Sequence, residues 1–133
     1  MTQERTHDKR IHDTGLTYRV IGLAMRVHRA LGPGLLEGVY ERCLCHELTK
    51  AGIPFVSQVP LVIRYDGVEL GSAYRADLIV CDKLILELKS VEQIHPLHEA
   101  RLLTYLRLSA CEAGLLINFN TRSLTDGIRR RVL

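Results

Sequence analysis

The sequence predicts an α/β (α+β) domain built on a mixed sheet of four or five strands flanked by helices. Three observations carry this reading. Two stretches near the N-terminus repeat apolar residues at helical spacing. The middle of the chain alternates as strands do, with turn residues between the runs. A short, nearly all-apolar run then follows a last helix, as a strand buried on both faces would. The chain has 133 residues, 47% hydrophobic and 25% charged, with a net charge of +3. That length suits a single domain, 1–133, with a sizeable core, and the composition is not that of a disordered chain. The small positive charge permits contact with nucleic acid without arguing for it.

Segment 1–13 is polar and lacks an apolar core, so it reads as a frayed end and not as a signal peptide. Residues 16–31 place Leu16, Val20, Leu23, Ala24, Val27 and Leu31 at helical spacing, with Thr14 as N-cap. Gly32-Pro33-Gly34 ends that helix. A second helix over 35–50 turns Leu36, Val39, Tyr40, Cys43, Leu44 and Leu48 inward, and Ala51-Gly52 stops it. A strand over 55–65, a tight turn at Asp66-Gly67 and a returning strand over 68–71 follow. A bend at Gly71-Ser72 leads on into a strand over 74–80, and another covers 84–89. Pro96 suits a first helical turn. The helix over 97–109 buries Leu97, Ala100, Leu103 and Leu106, with His98, Arg101, Leu102 and Tyr105 on a neighbouring face. Residues 114–119 form the doubly buried strand. The tail, 121–133, carries Arg122, Arg129, Arg130 and Arg131 and reads as neither strand nor helix. The order is ααβββ(β)αβ.

Other patterns exclude function classes. No run approaches the ~18 apolar residues of a membrane span. The cysteines (Cys43, Cys45, Cys81 and Cys111) form no CxxC pair, which fits reduced thiols and a cytoplasmic location. The histidines form no HExxH motif.

Chemistry concentrates on the strand pair 74–80 and 84–89. Apolar strands rarely carry acids, and these carry Asp77 and Glu87, with Lys89 two residues on. If Cys81-Asp82-Lys83 is a three-residue loop, Val80 pairs with Leu84, Leu78 with Leu86 and Ala76 with Leu88, and that face is wholly apolar. The opposite face then pairs Ile79 with Ile85, Asp77 with Glu87 and Arg75 with Lys89. A two-residue loop would set Asp77 against Leu88 and mix the faces. The longer loop makes Asp77 and Glu87 cross-strand neighbours, with Cβ atoms roughly 5 Å apart. Two carboxylates that close repel unless a cation or proton lies between them. With the backbone carbonyl of Leu88 they can bind Mg²⁺ or Mn²⁺ through oxygen, and Lys89 can orient a water or neutralise developing charge. The plainer alternative is a solvated salt-bridge face of Arg75, Asp77, Glu87 and Lys89.

The stretch 31–41, with Gly34, Glu37 and Tyr40, resembles the signature of the GxxExxY proteins. The similarity runs from about residue 17 to the C-terminus. It takes in Val27-His28, Tyr74-Arg75-x-Asp77, Glu87-Leu88-Lys89, the run 98–106 and the run 114–119. That family is placed in the PD-(D/E)xK nuclease-like superfamily. The resemblance implies a restriction-endonuclease-like αβββαβ core, in agreement with the element order. It also implies a metal site of Asp77, Glu87 and Glu37, with Lys89 beside it. Glu37 would also favour the dipole at its helix N-terminus. Tyr40, one turn on, reaches either the same cleft or the core. The family usually has Gln where this chain has Arg101, four residues before Tyr105. Arginine donates to phosphate but accepts nothing. His98, on the face of Arg101 and Tyr105, is a further candidate for phosphate or water contact. His28, near the Gly-Pro-Gly turn, is expected to bond loop carbonyls there.

Two functions compete. One is a Mg²⁺- or Mn²⁺-dependent nuclease acting on DNA or RNA, as a monomer or a homodimer. The other is a catalytically inactive module that keeps the fold and binds nucleic acid or protein.

Overall fold

A computed structural model describes residues 2–133, with side chains from residue 15 onward. Two helices lead, α1 (Thr2–Leu31) and α2 (Glu37–Lys50). Strands β1 (Phe55–Leu61), β2 (Arg64–Tyr65), β3 (Val68–Glu69), β4 (Tyr74–Val80) and β5 (Leu84–Lys89) follow. Helix α3 (Pro96–Ser109) leads to β6 (Ala113–Asn118), a 3-10 turn (Leu124–Gly127) and β7 (Ile128–Val132).

One mixed sheet holds five strands in the order β1-β4-β5-β6-β7. Only the β5–β6 pair is parallel, and α3 supplies the crossover that parallel neighbours require. β2 and β3 form a separate small hairpin whose turn residues, Asp66 and Gly67, have φ of 53° and 72°. On one side of the sheet, α1 and α2 bury Val20, Ala24, Tyr40 and Leu44 against Leu78, Leu86, Leu88 and Ile117. On the other, α3 buries Leu102, Tyr105 and Leu106 against Ile85 and Leu116. Strands β5 and β6 are thus covered on both faces, which is why they read as near-continuous apolar runs. The close approach of α3 depends on Gly114. A Cβ there would lie 2.8 Å from Cδ1 of Leu102.

Several expectations are corrected. α1 is continuous through Thr14, so that residue is no N-cap. The fray expected at 1–13 falls on residues whose side chains lie outside the described ones. α2 begins two residues late, at Glu37, and Leu36 is its exposed N-cap. Leu36 and Val39 face solvent because Tyr40, Leu44 and Leu48 set the buried stripe. The strand expected over 55–65 divides at Leu61, and β3 closes its own hairpin and does not bend into β4. Helix α3 is rotated. Leu97 and Ala100 are exposed, while Leu102 and Tyr105 are buried. The tail becomes a strand because β6 offers it an open edge, which β7 pairs antiparallel.

Candidate active site

The site grows out of the β4–β5 hairpin. Cys81-Asp82-Lys83 is indeed a three-residue connection, and the register is Val80 with Leu84, Ile79 with Ile85 and Leu78 with Leu86. The backbone ladder stops there. One residue further, the N–H of Asp77 donates to Oε1 of Glu87 at 3.0 Å, and the N–H of Leu88 donates to Oδ2 of Asp77 at 2.8 Å. The strands fork, and two carboxylates take the bonds that backbone carbonyls would have taken. The same break appears toward β1. Residues 55–57 and 59–61 pair with β4, but Gln58, opposite Asp77, has a φ of 54° and drops out of the register. Ala76 consequently buries on the α3 side, while Leu78 buries on the α1–α2 side. The expected pairing of Ala76 with Leu88 on one apolar face is overturned, because the strand changes phase at Asp77.

The fork is electrostatically tense. Glu87 is 6% exposed. Burial first, and then the charge of Asp77, push its carboxyl up to about 8; the Asp77 N–H and Lys89 pull back only in part. Burial also raises Asp77, opposed by the Leu88 N–H and reinforced by Glu41. Among the described residues neither carboxylate has an ion pair within 4.0 Å, so the salt-bridged face of Arg75, Asp77, Glu87 and Lys89 does not form. Oδ1 of Asp77 and Oε2 of Glu87 make no hydrogen bond among those residues. The Leu88 N–H points into the fork, and in an extended strand the carbonyl of the same residue points the same way. Two carboxylate oxygens and one carbonyl make a hard, all-oxygen donor set, which fits Mg²⁺ or Mn²⁺. Among the described residues no group of three or more His, Cys, Asp or Glu is placed to hold a metal. Glu37 lies in range to raise both carboxyls but outside such a cluster.

Helix α3 closes the other side. Tyr105 is buried, and burial with the nearby charge of Glu87 pushes its phenol up to about 12, so it stays protonated. Its ring lies 5.8 Å from that of Tyr74. His98 accepts a hydrogen bond at Nδ1 from the N–H of His95 at 3.1 Å, which places its ring proton on Nε2. Burial, then Lys89 and His95, hold it below the usual histidine range. Arg101 is exposed, near enough to influence both His98 and Tyr105, and has no hydrogen bond or ion pair among the described residues.

Tyr40 is not in the cleft. It is fully buried and stacks on Phe119 with ring centroids 4.4 Å apart. Its hydroxyl donates to the carbonyl of Gly32 at 2.6 Å and accepts from the N–H of Leu35 at 3.1 Å. It clamps the Gly-Pro-Gly turn, which fixes the start of α2 and hence Glu37. His28 bonds the carbonyl of Thr121, not the Gly-Pro-Gly turn. Three residues escaped the sequence reading. Glu41, four residues from Glu37 and so on the same helix face, adds negative charge at Asp77 and is held by the Gln58 amide at 2.9 and 3.1 Å. Ser90 donates to the carbonyl of Leu35 at 2.6 Å, tying the end of β5 to the α1–α2 turn. Asn118, buried and level with Lys89 in the sheet, bonds both the N–H and the carbonyl of Val91.

The family model of the PD-(D/E)XK nuclease superfamily matches residues 14–131. The chain belongs to this superfamily. No curated protein and no solved structure matches it. The five-stranded mixed sheet flanked by helices is consistent with a restriction-endonuclease-like fold. Membership of the PD-(D/E)XK nucleases implies a nuclease-type function and a nucleic-acid substrate in general terms, and such enzymes generally use divalent metals. Among the described residues no helix is long and apolar enough to cross a membrane.

Proposed function

We propose that this chain is a divalent-metal-dependent nuclease that hydrolyses phosphodiester bonds of nucleic acid at the β4–β5 fork. The observation that carries the reading is the pairing of half-buried Asp77 with buried Glu87, two acids set together with no ion pair to a protein cation among the described residues. Burying such a pair is unfavourable unless a proton or a cation joins it. Asp77, Glu87 and the carbonyl of Leu88 would hold Mg²⁺ or Mn²⁺, with Glu37 on α2 adding negative charge nearby. A divalent ion there supplies positive charge to the phosphoryl oxygens and acidity to an attacking water.

The chain's own residues do the rest. Lys89, at the end of the same strand, orients the water and offsets charge developing on the phosphate. Tyr105, kept protonated, walls off the α3 side of the fork. His98, through Nε2–H, and Arg101 stand on that side as donors to phosphate. The test is incubation of DNA and RNA of several forms with Mg²⁺ or Mn²⁺. The wild type should cut, and Glu87→Ala with Lys89→Ala should cut at least about 100-fold more slowly. Equal inactivity of the two removes the main support for an enzyme.

One residue favours a second reading, a binding module that has kept the fold. Arg101 can donate to phosphate but cannot accept a bond from a water. Titration calorimetry separates the two. Heat from Mn²⁺ binding that disappears in Glu87→Gln belongs to the enzyme, since a bare module needs no metal at the acid pair.

A further inference from the structure

The arginines of the C-terminal segment do not share one fate. Arg131 is paired with Glu99 and also donates to the carbonyl of Arg130. Arg129 donates to the carbonyls of Asp126 and Ile128, both at 3.0 Å. These two are spent on holding the chain's own end. Arg122 is not. It is exposed, has no hydrogen bond or ion pair among the described residues, and lines a cavity of about 380 Å³. Arg29, in the last turn of α1, lines the same cavity and is likewise unpartnered. Met25, His28, Pro33 and Ser123 complete much of the wall, and among the described residues no carboxylate lines it.

The position of this cavity gives it meaning. Its walls are the end of α1 with the Gly-Pro-Gly turn on one side and the loop after β6 on the other. His28 Nε2 joins them at the carbonyl of Thr121, 2.8 Å away. Both walls are tied to the end of β5. Phe119 N–H donates to the carbonyl of Lys89 at 2.9 Å, and Ser90 donates to that of Leu35 at 2.6 Å. The cavity therefore lies at the carboxyl ends of the parallel β5–β6 pair, the end of the sheet at which the fork opens. Ligand clefts have volumes of roughly 300–1,000 Å³. Two unpaired guanidinium groups on facing walls suit a phosphate, which each can grip with two parallel N–H donors.

We infer that the Arg29–Arg122 cavity is an anchor for a backbone phosphate of the nucleic acid whose scissile bond lies in the fork. This rests on the nuclease reading and adds a second point of attachment to it. Exposed arginines hold a free anion weakly, because water competes for both partners. A phosphate on a strand already seated at the fork arrives at a high effective concentration, so the same two residues suffice.

The test is fluorescence anisotropy with labelled single-stranded and duplex DNA and with RNA. It is done in the Glu87→Gln chain, whose slowed cleavage leaves the strand largely intact during the measurement. Arg29→Ala with Arg122→Ala should weaken binding about tenfold at 0.1 M salt, and the slope of log K against log[salt] should shrink by about 0.7 on single strands and about 0.9 on duplex, as expected for one phosphate contact. Arg29→Lys with Arg122→Lys should keep the slope, because charge sets it. The charge-matched control, Lys83→Ala with Arg107→Ala at the other end of the sheet, should change neither. If the Glu87→Gln chain binds and the alanine pair leaves affinity and slope unchanged, the anchor is overturned alone. If that chain binds no nucleic acid, the nuclease reading falls together with the anchor.

Discussion

The two ends of the β4–β5 hairpin are made of the same strands and behave oppositely. At the closed end, Leu78 with Leu86 and Val80 with Leu84 pair backbone to backbone and bury apolar side chains. At the open end, Asp77 and Glu87 take over two backbone donors with their carboxylates. The closed end gains stability from burial. The open end keeps its donors satisfied but sets buried Glu87 beside half-buried Asp77, so the folded chain by itself favours a proton there. A strand pair can thus be core for half its length and an acid-lined fork for the other half, with the change falling where the backbone ladder stops.

Breaking the closed end should have the larger effect on stability. Leu86→Ala, at a fully buried position, should cost about 2–5 kcal/mol by denaturant unfolding, with cleavage per folded molecule retained. Glu87→Gln should do the reverse. Its amide oxygen still accepts the Asp77 N–H, so stability without metal should hold or rise, while cleavage falls about 100- to 1,000-fold. If the two variants lose stability and activity in parallel, the division between the ends is wrong.

Acidity sharpens the same contrast. Glu87 is raised from 4.5 to about 8 on folding, so the folded chain holds its proton more tightly than the unfolded chain. That contribution is complete below about pH 4.5 and is lost as pH rises toward and through 8, a loss on the order of a few kcal/mol. In EDTA the unfolding midpoint should therefore fall between pH 5 and 8.5, against the usual trend for salt-bridged acids, and Glu87→Gln should flatten the fall. Added Mn²⁺ should raise the midpoint at pH 8 in the wild type and not in Glu87→Gln. The smallest effect belongs to the clamp behind the site. Tyr40→Phe should lower stability by about 1 kcal/mol through the lost hydroxyl bonds, with the Mn²⁺ response at the fork intact.

Much of this was legible in the sequence. The hairpin register followed from one requirement, that an odd-length turn keep Leu78, Val80, Leu84 and Leu86 on one face. The phase change at Asp77 was not legible, because it depends on a left-handed backbone at Gln58, a residue type that does not announce it. Helix α3 carries leucines on more than one face (Leu97, Leu102, Leu103, Leu106 and Leu108), so helical spacing alone does not say which side is buried. Tyr40 could equally have reached the cleft, and only the Gly32 carbonyl in three dimensions decides where its hydroxyl goes. Glu41 could have been found, since it stands one turn from Glu37.

The fork also carries its own reporters. The amide protons of Asp77 and Leu88 are each held by a site carboxylate. Their NMR resonances should shift as that carboxylate gains or loses a proton or meets an ion. Occupancy and ionisation of the site can thus be followed from the backbone alone, in solution, before any substrate has been identified.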